Sequence, residues 1–437
     1  MTKYLQAAQA VFDYIDARQV TTPQGIYWDL SDAFNGDWRY YDDISLYAGS
    51  AGILKFLLAL YQATEQEDYL TEAKLAGDYL CYRWESHSPM QKAFTPYAFT
   101  TGYAGVAFVL DELYTVTKTP RYHQTVQSIA EAIVRDLRPS GDWSGQIGVV
   151  ADGGTALFLL AIAPRYHVKG LPAALVRFGD RLISQQRHEA DGSNYYIGFD
   201  LKFVGGPLGK FNTGFPLGPA GVAYTLLKLY EFTGEKRFLA ATVGVDKFYQ
   251  NHSLSKQAIR LPHYLPDDNH MCYVGYCGGP VGTSRYFYEY YRQTGDPAYL
   301  TAFNQTIAGL DELGVPTQRS EGYWQTENYC CGTAGVLQFY LGAFLALHDP
   351  RMLELAKVTA DGLLARAVAT DAGIMWQQAF ERKRPDNLAF GLGYYDGAAG
   401  IGASLLQLHQ VESGYFDYQR MVDDPYPQNV ASTNFAE

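Results

Sequence analysis

The sequence predicts an all-α fold, an α/α toroid in which seven helical pairs close into a double-layered barrel, on three observations. A short glycine-containing motif followed by an apolar helical run recurs seven times along the chain. Most copies are followed by a turn and a second segment with apolar residues at helical spacing. Neither end of the chain carries a polar capping repeat, so the stack is expected to close on itself rather than end as an open solenoid.

The stretch MTKYLQAAQAVFDYIDARQ comes first and reads as an amphipathic helix with acidic residues, not as a signal peptide. The motifs then follow in order: YAGSAG at 47–52, TTGYAG at 100–105, VADGGT at 150–155, PLGPAG at 216–221, YCGGPVG at 276–282, YCCGTAG at 329–335 and YYDGAAG at 394–400. Their spacing of roughly fifty to seventy residues suits a helical pair with its loops. The segment after each motif is apolar on nearly all faces and is expected inside the barrel. Second segments such as GDPAYLTAFNQTIAGLDEL and GEKRFLAATVGVDKFYQ are amphipathic, open on Gly-Asp or Gly-Glu, and are expected on the outer wall. One barrel domain then uses the whole chain, 1–437. The motif glycines let inner helices converge at one end, where a Cβ would meet a neighbouring backbone. Convergent helix N-termini favour anions or thiolates there, which marks those loops as the expected site.

Composition narrows the function. With 437 residues, 47% of them hydrophobic, the chain can bury a sizeable core, and it lacks any apolar run of roughly 18 residues that would span a membrane. A soluble, cytoplasmic protein is expected. The net charge of -12 disfavours nucleic acid and anionic membrane as partners. Five cysteines are an odd number in no dense framework, so metal binding or catalysis is a stronger reading than disulfides. The 36 tyrosines fit either a broad amphipathic cavity or the filling of irregular helix junctions.

Three of the cysteines stand on two consecutive motif loops. Cys277 precedes the glycine motif of the fifth repeat, and Cys330 and Cys331 precede that of the sixth. Neighbouring repeats thus bring three thiols to one end of the barrel, a set that suits Zn²⁺ with its fourth position left for water or substrate. Cys272 is a candidate fourth ligand, which would close the site, and Cys81 reads as a buried outer-helix residue.

These motifs resemble the LanC family of lanthionine cyclases and the cyclase domains of class II lanthipeptide synthetases, over nearly the whole length. The residues carrying the resemblance are NTGFPLGPAG, YCGGPVG, YCCGTAG and YYDGAAGIGASLL. It implies a seven-fold α/α barrel with one catalytic zinc, held here by Cys277, Cys330 and Cys331, with Cys331 standing where the family usually has histidine. It also implies addition of a peptide cysteine thiol to dehydroalanine or dehydrobutyrine. The implied partner is a dehydrated precursor peptide; a separate dehydratase and an exporter are candidate further partners. Other family positions differ: the histidine of the fourth repeat falls at Leu217, the tyrosine after the fifth-repeat cysteine at Gly278, and an upstream arginine at Tyr273. The third-repeat aspartate has no clean counterpart, Asp152 lying inside the motif and Asp142 earlier in the loop.

With those groups replaced, other residues become candidates for protonating the enolate: His270, Tyr273 and Tyr276 before Cys277, and Trp324 and Glu327 before Cys330. His270 ranks first and His263 lower; Asp152 stays in the candidate set. Asp396 reads as a helix cap. Alongside the cyclase, the sequence leaves two readings open: a catalytically weak scaffold that binds modified peptide or partner enzymes, and a carbohydrate-active toroid working by paired carboxylates or histidines.

Overall fold

The computed structural model describes residues 2–36, 43–90, 95–416 and 421–427. The helices begin with α1 (Lys3–Asp16), α2 (Ser50–Thr64), α3 (Glu67–Glu85), α4 (Tyr103–Thr117), α5 (Pro120–Arg135), α6 (Asp152–Ile162) and α7 (Leu171–Ser184). They continue with α8 (Pro219–Thr233), α9 (Lys236–Ala240), α10 (Val245–Asn251), α11 (Pro280–Thr294), α12 (Pro297–Glu312), α13 (Thr333–Leu347), α14 (Pro350–Ala365) and α15 (Ala398–Glu412).

Each glycine motif opens an inner helix, and α2, α4, α6, α8, α11, α13 and α15 pack in that order around a closed ring, α15 meeting α2. They are buried on all sides, α13 without a break from Thr333 to Leu345. An apolar helix with no polar face is stable only when other helices cover it, and the outer layer does so. Helices α3, α5, α7, α9 with α10, α12 and α14 each pack on the inner helix before them. Among the described residues no outer helix follows α15; α1 packs on it instead, so the N-terminal amphipathic helix completes the seventh pair. The apolar core runs from Tyr4 to Tyr426. Among the described residues no helix is long and apolar enough to cross a membrane.

The two layers end differently because their chemistry differs. Three outer helices, α1, α12 and α14, use side-chain caps, Thr2 accepting from the Leu5 N–H, Asp296 from that of Ala298 and Asp349 from that of Arg351. Most inner helices start on a glycine with no capping side chain, and several stop at a left-handed residue such as Gly234, Gly295 or His348.

The reason for the motif glycines is corrected by the structure. A Cβ on Gly282 would lie 1.9 Å from the carbonyl oxygen of Tyr276, and one on Gly400 1.7 Å from that of Tyr394. The loop folds back over the first turn of its own helix, and that contact, more than the neighbouring repeat, excludes a side chain.

The motif loops are tied into a chain of backbone hydrogen bonds at one end of the barrel. The N–H of Cys277 donates to the carbonyl of Cys330 (3.1 Å), Cys330 to Tyr395 (2.8 Å), Tyr395 to Tyr47 (2.9 Å) and Tyr47 to Thr100 (2.7 Å). All five residues stand two before the glycine that caps their helix. Pro216 holds that place in the fourth repeat and has no N–H to give; its carbonyl accepts from Val150 at 3.0 Å. Short antiparallel pairs supplement the helices, including Phe211–Asn212 with Tyr264–Leu265 and Gln378–Ala379 with Leu388–Ala389.

Candidate metal centre

Equivalence of position brings the thiols together. Cys277 and Cys330 occupy the same place in adjacent loops, joined by the backbone bond just described, and Cys331 is the next residue. Their sulfurs all lie within 4.8 Å of one another, with Cys277 and Cys331 at 3.0 Å and Cys330 and Cys331 at 3.6 Å. All three are free thiols. Cys330 is buried, while Cys277 and Cys331 are partly open to solvent.

The loop carrying the pair is clamped. Asn328 Oδ1 accepts from the Cys331 N–H at 2.9 Å, which turns the second cysteine toward the first. Buried Gln378 accepts from the N–H groups of Glu327 and Asn328 at 3.0 Å each and donates to the Asp396 carbonyl at 2.8 Å, linking the sixth and seventh loops. Glu327, 1% exposed, is gripped by Arg319 (2.9 Å) and Arg366 (2.7 Å). Its carboxylate is committed to that double ion pair.

Such a donor set fits a thiophilic divalent ion. Tetrahedral zinc with Zn–S near 2.3 Å needs sulfurs roughly 3.8 Å apart, so the 3.6 Å pair already fits and the 3.0 Å pair must open by less than about 1 Å. Hydrogen bonds from Cys277 first, and from Cys331, hold the Cys330 thiol well below its usual range. The same bonding pushes Cys277 and Cys331 up. One thiolate is therefore favoured even without an ion, and three like charges at this spacing call for a cation.

Around the thiols stand groups from three loops. Tyr273 stacks on His263 with ring centroids 3.6 Å apart, and its hydroxyl is pushed up by burial and by the charges of Cys277 and Cys331. His263, buried between Tyr273 and Gly278, is driven down to about 3 by burial and then by the Arg382 charge, so it is neutral at physiological pH. A Cβ on Gly278 would lie 2.6 Å from His263 Nδ1, so the missing side chain at 278 is the space the imidazole fills. Tyr264 also feels both cysteines. Arg382, whose charge acts on both Tyr273 and His263, is ion-paired with Glu321. Leu217 packs on Val150, Ala151 and Phe199.

The other residues singled out from the sequence lie in different settings. His270 has its side chain 79% exposed and its Nδ1 2.5 Å from Asp267. Tyr276 is buried and turned inward, its hydroxyl donating to Asp423 at 2.5 Å. Asp152, the first residue of α6, accepts from the backbone N–H groups of Trp143, Ser144 and Gly145 and from the Ser144 hydroxyl, and so shapes its own loop. Asp142 is held by Arg138, Arg181 and Ser140. Cys272 is buried outside the sulfur cluster, its thiol pushed up to about 11 by burial. Cys81 is buried on α3, as expected.

Asp396 corrects the sequence reading outright. The residue that caps α15 is Gly397, with no side-chain bond. Asp396 is 1% exposed, neither carboxylate oxygen has a hydrogen-bond partner among the described residues, and burial, with the charge of Cys330 added, pushes it well above the carboxylate range. Together with Arg382 and Gln378 it belongs to the residues the sequence reading missed or misassigned. Its equivalence to Cys331 in the repeat register, each standing one residue before the glycine that caps its helix, is a signal that marks it for the site.

Two overlapping segments, 93–371 and 201–420, match the family described as lanthionine synthetase C-like protein. The overlap is what internal repeats produce when matched in two registers. Among solved structures, nisin cyclase matches with a TM-score of 0.64 at 14% identity, over 85% of this chain and 90% of that one. The Lin0763 protein from Listeria innocua matches with a TM-score of 0.51 at 11% identity, over 96% of this chain and 100% of that one. At such identities the likeness is one of fold. No curated protein sequence matches the chain. The family match covers more than half of the chain and the α/α toroid agrees with it: the chain belongs to the lanthionine synthetase C-like family.

Proposed function

We propose that this protein, working as one barrel over residues 1–437, is a zinc-dependent lanthipeptide cyclase. It adds peptide cysteine thiols to dehydroalanine or dehydrobutyrine and so forms lanthionine or methyllanthionine rings. The observation that carries this reading is the convergence of Cys277, Cys330 and Cys331 from adjacent repeats, two of them open to solvent. These three residues would hold the zinc ion. When bound, zinc supplies Lewis acidity that lowers the pKa of a substrate thiol, making a thiolate available at neutral pH.

The chain's own residues do the rest. Addition of sulfur to the β-carbon leaves an enolate that must take a proton at the α-carbon. Tyr273 is assigned that step: its hydroxyl feels both partly exposed cysteines, keeps its proton at neutral pH, and feels the charge of Arg382, which steadies the phenolate left behind. His263 fixes the Tyr273 ring by stacking. The polar groups of the candidates His270, Tyr276 and Asp152 are engaged by Asp267, by Asp423 and by the 143–145 backbone, whereas the Tyr273 hydroxyl feels the charges of Cys277 and Cys331. A dehydrated precursor peptide, supplied by a separate dehydratase in the cytoplasm, is the proposed partner, with an exporter downstream.

Leu217 favours one competing reading, a scaffold that binds modified peptide without turning it over, because a leucine packed on Phe199 cannot move a proton. The carbohydrate-active reading leaves the thiol trio without a role. Incubating the protein with a synthetic peptide bearing one cysteine and one dehydroalanine, and counting free thiols by alkylation, separates the first two. Thiol loss well above the spontaneous rate is expected. Loss at the spontaneous rate identifies the scaffold.

A further inference from the structure

The described C-terminal segment, 421–427, is not a surface tail. Met421, Asp423 and Tyr426 are almost fully buried, and Asp424 is 5% exposed. Tyr426 packs on Tyr288 of α11 at 5.6 Å, and its ring lies against Gly342 of α13, where a Cβ would meet it at 2.3 Å. Ser284 and Tyr426 share a hydroxyl contact of 3.3 Å. The segment therefore passes between the two inner helices that carry the cysteine loops.

From there it reaches the underside of those loops. Asp423, with no solvent exposure, accepts a 2.5 Å hydrogen bond from the hydroxyl of Tyr276, the residue immediately before Cys277. Beside it Arg285, 1% exposed, donates to the hydroxyl of Tyr329 at 3.2 Å, and Tyr329 is the residue immediately before Cys330. The Arg285 guanidinium also lies over the Tyr276 ring, 4.9 Å from its centroid. A buried guanidinium needs an anionic counterpart, and Asp423 and Asp424 of the C-terminal segment are the carboxylates whose charges act on it. The residues preceding two of the sulfur donors are thus both held from within the barrel, one by a tail carboxylate and one by the guanidinium that lies over the Tyr276 ring.

We infer that the C-terminal segment is a built-in part of the cysteine site, in which Asp423 through Tyr276 and Arg285 through Tyr329 are positioning residues that hold Cys277 and Cys330 in register. This rests on the metal reading of the three thiols. Loss of an outer partner that orients a ligand weakens metal binding by about 10–100-fold. The Tyr276–Asp423 bond acts as one unit, so its two ends are expected to be non-additive.

The test uses the full chain with Zn²⁺ and Co²⁺ alone. Affinity is read by competition with a chromogenic chelator, geometry by the Co²⁺ thiolate charge-transfer band, and integrity by helical circular dichroism. Asp423→Asn and Tyr276→Phe are each expected to weaken Zn²⁺ about tenfold and to alter the Co²⁺ band, the double variant doing no worse than the weaker single one. Tyr395→Phe, which removes a hydroxyl without a hydrogen-bond partner among the described residues, is expected to leave both readouts unchanged. Should Asp423→Asn unfold, Tyr276→Phe decides, since it keeps the ring. Wild-type affinity and an unchanged band in a folded Tyr276→Phe would overturn the inference while leaving the metal reading intact. A wild-type chain that binds neither ion would overturn both.

Discussion

Cys277 Sγ lies 3.0 Å from Cys331 Sγ although 54 residues separate them, because the fifth and sixth motif loops are joined through the Cys277 N–H and the Cys330 carbonyl. Position in the repeat, more than spacing along the chain, makes the site. Cys331→His, which restores the residue related cyclases usually have, is expected to retain metal with an S₂N donor set. Cys277→Ala is expected to weaken it by more than the roughly 10–100-fold that loss of an outer-shell partner costs. Zinc affinity of the two variants, measured side by side, checks this.

Gly278 and His263 share one space. Gly278→Ala places a Cβ 2.6 Å from Nδ1 in the unrelaxed structure and is expected to cost about 1–3 kcal/mol while pushing the imidazole off Tyr273. Adding His263→Ala should recover part of that loss. Denaturant unfolding of the singles and the double gives the coupling, which is expected to be non-zero.

Glu327 serves the fold of the cysteine loop. Replacing it by alanine leaves Arg319 and Arg366 facing each other without their shared carboxylate, at an expected cost of about 3 kcal/mol, the low end for a broken buried pair because both arginines are partly exposed. Denaturation midpoint and zinc affinity should fall together.

A pH effect belongs to the outer wall. Glu72 on α3 is raised to about 7 by burial, with Asp16 and Asp68 adding to it, and one of its oxygens is buried without a partner among the described residues. A carboxyl raised in the folded state contributes stability that is fully present below its unfolded pKa of about 4.5 and is lost as pH rises through about 7. Glu72→Gln is therefore expected to raise stability by about 1 kcal/mol at pH 8 and to change it little at pH 4, by denaturant unfolding at the two values.

Much of the architecture was legible in the sequence because a repeat states its own register. Seven glycine motifs located seven inner helices, and the all-round apolar character of segments such as 333–347 fixed which layer they form. The pairing of α1 with α15 could not be read in the same way, since an amphipathic helix does not say which apolar helix it covers. Three thiols were found for the same reason the helices were. The wall of the site was less legible. Arg382 comes from a loop with no repeat equivalent, in the basic stretch FERKRPDN, and reaches Tyr273 only through tertiary folding. His270, first among the sequence candidates, turns to Asp267 and solvent, while His263, ranked below it, occupies the space beside Gly278. Asp396 sits at a helix start, where an aspartate normally caps, yet the glycine after it takes the cap and leaves the carboxylate buried.

Zinc per chain in wild type and in Cys330→Ala, both produced in zinc-supplemented medium, tests most directly that the three thiols form one metal centre. One zinc per wild-type chain and almost none in a folded Cys330→Ala protein is the expected result. A wild-type chain well below one equivalent, or a variant that keeps its zinc, would contradict it.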